Sequence, residues 1–209
     1  MTLDRPVVLA SASPRRRDLL AALGLCFTVA PADIDESAAA AGEPAVGAAV
    51  VASAKAGAVS ARHPDAVVVG ADTIVVLDGA VLGKPADAVE ARRMLTALRD
   101  RVHSVFTAVC VRTVDEELSD VVRSTVRMRA YATGEIERYV ATASGLDKAG
   151  GYGVQDEPFR PVASIEGCYC NVMGLPLWVV IRLLERAGDV RMRRPAEVFA
   201  RCAECPLAG

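Results

Sequence analysis

Apolar and polar positions follow one another in blocks along this chain, and the blocks predict strands and helices in turn. Residues 7–10 (VVLA) form a short apolar run that stops at Ser11, and from Pro14 onward Leu19, Leu20 and Leu23 fall on one helical face. Ser13 suits the N-cap, Pro14 the first helical position and Gly24 the C-terminal exit. This strand, loop and helix deliver residues 11–16 to a helix N-terminus. Residues 44–61, rich in Ala and Val, predict a small-residue helix that can pack closely and that carries Lys55. Residues 67–69 predict a buried strand leading into Gly70-Ala71-Asp72-Thr73, which places Asp72 at a strand junction. Residues 74–82 predict a hairpin turned at Asp78-Gly79.

Further along, residues 86–98 predict an amphipathic helix, 102–112 and 121–130 two long strands, and 133–143 a helix capped by Thr133. In the second long strand Arg123, Thr125, Arg127 and Arg129 share one face, which is expected to be solvated. Residues 145–155 contain four glycines and no periodicity, the mark of a flexible loop, and residues 175–186 predict an apolar helix stopped by Gly188. No repeat or low-complexity linker interrupts the pattern. Residues 1–188 are therefore expected to form one domain and 189–209 a charged, Cys-containing tail. Strands alternate with helices at first and two long adjacent strands follow, which points to the α/β class with a mixed sheet.

Composition narrows the possible functions. In 209 residues, 52% hydrophobic content is enough to bury a core without metal or disulfide staples. The 24 Lys and Arg residues face 26 Asp and Glu, so no overall basic field exists for a nucleic-acid backbone or an anionic membrane. No apolar stretch approaches the roughly 20 residues of a membrane helix, and the four apolar residues after Pro6 are too short for a signal-peptide core. A cytoplasmic location is expected. Cys26, Cys110, Cys168, Cys170, Cys202 and Cys205 are then expected to be reduced. Cys168-x-Cys170 with Cys202-x-x-Cys205 can be compared with a four-thiolate zinc site. One pair is C-x-C, however, and no knuckle glycine or ligand His accompanies it, which favours free thiols.

Several stretches carry chemistry. Ser11 to Arg17 combines two hydroxyls and three guanidinium groups at a helix N-terminus, a setting for a phosphate ester or simply a capped surface helix with solvated arginines. Gly79-x-x-x-Gly83-Lys84-Pro85 is not a Walker motif, because it is one residue short and Pro85 stands where a hydroxyl is needed; Lys84 can still act as a point charge. Asp72, with Asp33, Asp35 and Glu36, could supply oxygen ligands to a divalent cation, or could be a turn former beside a solvated loop. Gln155 can donate and accept at a base edge, while a plain surface loop is the competing view. His103 reads as structural, and no G-x-S-x-G elbow supports acyl hydrolysis.

Taken in order, Leu9-Ala-Ser-Ala-Ser-Pro-Arg-Arg16, Asp35-Glu36, Ala54-Lys55-Ala56, Gly70-Ala-Asp-Thr73, Gly83-Lys-Pro85, His103 to Val109, Asp147 to Gln155 and Gly174-Leu-Pro176 resemble the Maf family, also called septum-formation inhibitors. The resemblance implies an elongated mixed β-sheet flanked by helices around a central cleft, similar to inosine triphosphatases, in a homodimer. It implies a pyrophosphatase that cleaves nucleoside triphosphates between the α- and β-phosphates with Mg²⁺ or Mn²⁺. It assigns Asp72 as the base, Glu36 and Asp72 as metal ligands, and Ser11, Arg15, Arg16, Lys55, Thr73, Lys84, Lys148 and Gln155 as substrate contacts. Arg15, Thr73 and Gln155 resemble the branch acting on dTTP and UTP. Gly151 and Asp156 depart from the usual alanine and glycine beside Gln155. The competing class is a nucleotide-sensing regulator of cell division that binds without turnover.

Overall fold

The computed structural model describes residues 5–35, 42–188 and 191–208. It is an α/β fold whose described strands form one mixed, open sheet flanked by helices. The strands are β1 (Val7–Leu9), β2 (Phe27–Val29), β3 (Val67–Leu77), β4 (Ala80–Leu82), β5 (Val102–Arg112), β6 (Glu117–Met128) and β7 (Val162–Glu166). Their order is β2-β1-β3-β5-β6-β7, with β4 beside β3 off this path; the first three are parallel and the remaining pairs antiparallel.

The helices are α1 (Pro14–Ala22), α2 (Pro44–Ser60), α3 (Ala88–Leu98), α4 (Thr133–Ala141), α5 (Tyr169–Met173), α6 (Leu177–Ala187) and α7 (Pro195–Val198). Side-chain alternation along β1 and β3 sends Val8, Val68 and Ile74 to one face, where Ala48, Ala52, Ala56 and Val59 of α2 cover them. Val7, Leu9, Val67, Val69 and Ala71 go to the other face and meet Leu19, Leu20, Ile181 and Leu184 of α1 and α6. Further along that second face, Val75, Val105 and Val126 pack with Leu95 of α3 and Ile136 of α4.

Several elements differ from expectation for identifiable reasons. β3 runs unbroken for 11 residues, so Asp72 sits in mid-strand rather than at a junction. The polar Asp72 and the Cβ-free Gly70 disguise a continuous ladder with β5 from Val68 to Val76. Helix α4 is capped at Ala132, with Thr133 already helical; the Glu135 side chain accepts from the Ala132 N–H instead. The Asp78-Gly79 turn has φ of 51° and 81°, the two positive values that a type I′ hairpin requires.

One topological detail makes the cleft. β3 meets β1 only through Val67, Val68 and Val69, and β4 only through Val75, Val76 and Leu77. Residues 70–74 therefore have a strand partner on the β5 side and a gap on the other. Tail residues 191–208 lie against the α1 and α6 side, where Arg193 N–H donates to Leu23 O at 2.8 Å and Trp178 Nε1 donates to Cys202 O at 3.0 Å.

Candidate active site

A cleft of about 610 Å³ opens at this gap in the sheet. Asp72 lines it from β3 and Lys55 from α2, and the two form an ion pair of 2.8 Å with each side chain only 8% exposed. Gly70 is the reason they meet. A Cβ on Gly70 would lie 2.5 Å from Ala52 O and 2.9 Å from Ala56 N, so only glycine lets α2 come this close to β3. Lys55 lies between those two alanines in sequence, and Asp72 lies two residues beyond Gly70 on the same face of the strand.

The opposite face of β3 carries Thr73, which belongs to a chain of bonds. Arg16 of α1 is 9% exposed, and its Nε donates to Gly174 O at 2.8 Å, its Nη1 to Ser11 Oγ at 3.3 Å and its Nη2 to Thr73 Oγ1 at 2.9 Å. Thr107 Oγ1 donates its single hydrogen to Asn171 O at 2.9 Å. In the 3.0 Å contact between Thr73 and Thr107, Thr73 is therefore the donor. Its hydrogen is committed inward, which leaves Thr73 to position Arg16 rather than to donate to a ligand. The loop before α1 is fixed as well: Ser13 Oγ caps the helix by accepting from Arg16 N–H, and Ser11 Oγ accepts from Ser13 N–H.

On the far wall, Arg15 Nη1 reaches Asp147 Oδ2 at 3.2 Å and Lys148 Nζ reaches Asp147 Oδ1 at 2.7 Å. Partial burial opposes ionisation of Asp147, but the bond from Lys148 and the charge of Arg15 outweigh it and hold the carboxyl below its ordinary range. Lys84 and Gln155 line the same cleft and are exposed. Among the described residues five cationic side chains, Arg15, Arg16, Lys55, Lys84 and Lys148, thus face two carboxylates, Asp72 and Asp147. A site with this imbalance suits a polyphosphate.

A family model described as Maf, Maf-like protein, matches residues 6–187. The chain belongs to the Maf family. A Thermomicrobium roseum protein named dTTP/UTP pyrophosphatase is 46% identical over 209 residues, covering 97% of this chain and 94% of its own length. Proteins of the same name from Moorella thermoacetica and Myxococcus xanthus are 51% and 50% identical over 184 residues, 87% of this chain and 95% and 92% of theirs.

Of the residues singled out in the sequence of this Maf protein, Ser11, Arg15, Arg16, Lys55, Asp72, Thr73, Lys84, Lys148 and Gln155 line the one cleft. Glu36, expected as a metal ligand, lies outside the described residues. A magnesium-type ion is commonly held by one or two carboxylates together with substrate phosphate oxygens. Asp72, a hard oxygen donor at the cleft wall, fits that manner of binding.

The sequence did not reveal the supporting layer. Thr107 and Asn171 are fully buried polar residues, and the signal available for Thr107 was a hydroxyl inside the apolar run 105–111. His103 Nε2 shares a 2.7 Å bond with Tyr152 OH behind the cleft, and burial pulls the His103 pKa down to about 4. Asp156, one of the departures from the family pattern, accepts from Gly153 N–H at 3.0 Å and from Tyr139 OH, which ties down the turn that presents Gln155.

Proposed function

We propose that this chain hydrolyses dTTP and UTP to the monophosphate and pyrophosphate. The observation that carries the reading is one cleft in which a buried, lysine-paired carboxylate is lined up with four further cations. In this scheme Lys55 fixes Asp72 through Oδ1, and Oδ2 takes the proton of the water that attacks the α-phosphorus. The pyrophosphate leaving group gathers charge, which Lys84, Lys148, Arg15 and Arg16 offset from preset positions. Ser11 helps to seat the phosphates. A divalent cation, Mg²⁺ or Mn²⁺, held by Asp72 with Glu36, would further neutralise the phosphate oxygens.

Gln155 supplies one donor and one acceptor to the O4 and N3–H edge of uracil or thymine. The relatives named dTTP/UTP pyrophosphatase support that substrate class. The same reading carries a homodimer, to be checked by analytical ultracentrifugation, and a cytoplasmic setting. Among the described residues no helix is long and apolar enough to cross a membrane.

The deciding experiment is product analysis with dTTP, UTP, CTP and 7-methyl-GTP in the presence of Mg²⁺ or Mn²⁺. Pyrophosphate and monophosphate from dTTP and UTP are expected, and hydrolysis in ¹⁸O-water should label the monophosphate. Orthophosphate as the sole product would overturn the reaction. Binding without turnover would leave the nucleotide-sensing regulator as the surviving reading.

A further inference from the structure

The tail poses a problem that the cleft does not solve. Of its described residues 191–208, only Pro195, Cys202 and Cys205 are buried, with Met192, Val198, Phe199 and Leu207 half-buried against the same core, a small apolar contact for eighteen ordered residues. The two inward-facing cysteines enter the same core as Cys168 and Cys170, which flank the start of α5. The four are 1%, 0%, 2% and 7% exposed in the order 168, 170, 202 and 205. Cys170 Sγ and Cys202 Sγ are 3.4 Å apart. Cys202 and Cys205 are also near enough to influence the ionisation of both Cys168 and Cys170. Two pairs, one from each end of this last stretch of chain, therefore bring four sulfurs together.

We propose that Cys168, Cys170, Cys202 and Cys205 bind one zinc ion, which fastens the tail to the domain. This site is independent of the nucleotide cleft and of the function proposed for it. Zinc prefers four sulfurs in a tetrahedron with Zn–S of about 2.3 Å, which sets sulfur–sulfur edges of about 3.8 Å. The Cys170–Cys202 contact is a few tenths of an ångström short of such an edge. Among the described residues no three His, Cys, Asp or Glu side chains stand in ready coordination geometry, so the thiols must turn from their packing with one another to meet the ion. Cys202-x-x-Cys205 spans a single turn, with the Cys205 N–H on Cys202 O, and so presents both sulfurs from one short segment.

The surroundings suit a buried thiolate cluster. Cys168 Sγ already accepts the Asn171 N–H at 3.4 Å, a bond that stabilises sulfur once it is charged. The Arg201 guanidinium, next to Cys202 in sequence, sits 4.5 Å over the ring of Tyr169, the residue between Cys168 and Cys170, and so ties the two cysteine segments together a second time. Ligation replaces thiol protons with the metal, so the binding energy becomes folding energy for the tail. It also removes the C-x-C objection raised by the sequence, since the two pairs need not share one spacing when they come from separate segments.

The test is metal content and spectroscopy of the whole chain. Protein grown with added zinc, purified under reductant and passed over a chelating resin should carry about one zinc per chain by mass spectrometry. Cys202→Ser with Cys205→Ser should lower this at least tenfold, whereas Asp72→Asn should keep it. Cobalt reconstitution should give thiolate-to-cobalt charge-transfer absorption and the visible bands of a tetrahedral site. The cobalt spectrum and zinc content of the parent decide the matter even if the serine variant misfolds. A parent with less than a tenth of a zinc per chain, bound iron in place of zinc, or a Cys170–Cys202 disulfide in its mass spectrum would each overturn the proposal.

Discussion

Lys55 on α2 and Asp72 on β3 are held 2.8 Å apart because Gly70 lets the two backbones touch. The catalytic carboxylate of the proposed mechanism is thus positioned by a missing methyl group. Gly70→Ala should force α2 away from the sheet and cost about 1–3 kcal/mol of stability, as overpacking does. Turnover should fall even at temperatures where the variant is folded. Thermal melts and kcat measured together check this; a stable variant with parental kcat would show that the close approach does not set the pair.

Removing one member of a buried pair strands the other. Lys55→Met should destabilise by about 3–5 kcal/mol, and the double variant with Asp72→Leu should recover much of the loss while remaining inactive. Urea midpoints of the parent, both single variants and the double form a cycle that isolates the coupling. A cycle with no coupling would mean that the pair does not contribute as a unit.

Thr73→Val removes both the acceptor for Arg16 Nη2 and the donor to Thr107. Leaving buried groups short of partners costs about 1–3 kcal/mol. KM for the triphosphate should rise as Arg16 loses its anchor, and Thr73→Ser should restore both properties. Equal behaviour of the Val and Ser variants would refute the positioning role.

Tyr139→Phe takes away one of the two bonds that the Asp156 carboxylate accepts, and with it part of the support for the Gln155 turn. Losing one such bond is worth about 0.5–1.5 kcal/mol, so KM for UTP should rise roughly three- to tenfold with kcat nearly kept. The ratio of kcat/KM for UTP to that for CTP should shrink with it. Steady-state kinetics on the two nucleotides provide the comparison.

His103 gives a pH signature. Burial lowers its pKa to about 4 in the folded chain, whereas about 6.5 holds when unfolded. The unfolded chain therefore binds more protons between these values, and stability rises with pH across that window. The contribution is complete above about pH 6.5 and is lost as pH falls toward 4, amounting to up to about 3 kcal/mol. Urea midpoints at pH 4.5 and 7 should differ less in His103→Gln than in the parent.

Much of this site could be read from sequence because its residues sit in short, chemically dense segments. Ser11 to Arg16 declared a capped helix start, and β5 from Val102 to Arg112 declared itself by apolar length. What could not be read depended on contacts distant in the chain. β3 looked like two strands because Gly70 and Asp72 interrupt the apolar run, and their reason lies in α2. Short β2 and β7 expose most of their side chains and offer no buried face to detect. Arg16 read as a ligand to phosphate; that its three nitrogens also bond Ser11, Thr73 and Gly174 O becomes visible only once α1 meets the end of α5.

The forked edge of β3 also governs how the cleft can move. Its two walls descend from β1 and β4, which never pair with each other and share a neighbour only in β3. That neighbour is stitched to β5 through nine registered residues, Val68 to Val76, with no bulge. Narrowing or widening the mouth between β1 and β4 therefore means flexing one continuous ribbon rather than swinging a lid on a hinge. Amplitudes should be small and shared along the strand, so that a nucleotide gripped at one wall stiffens the other.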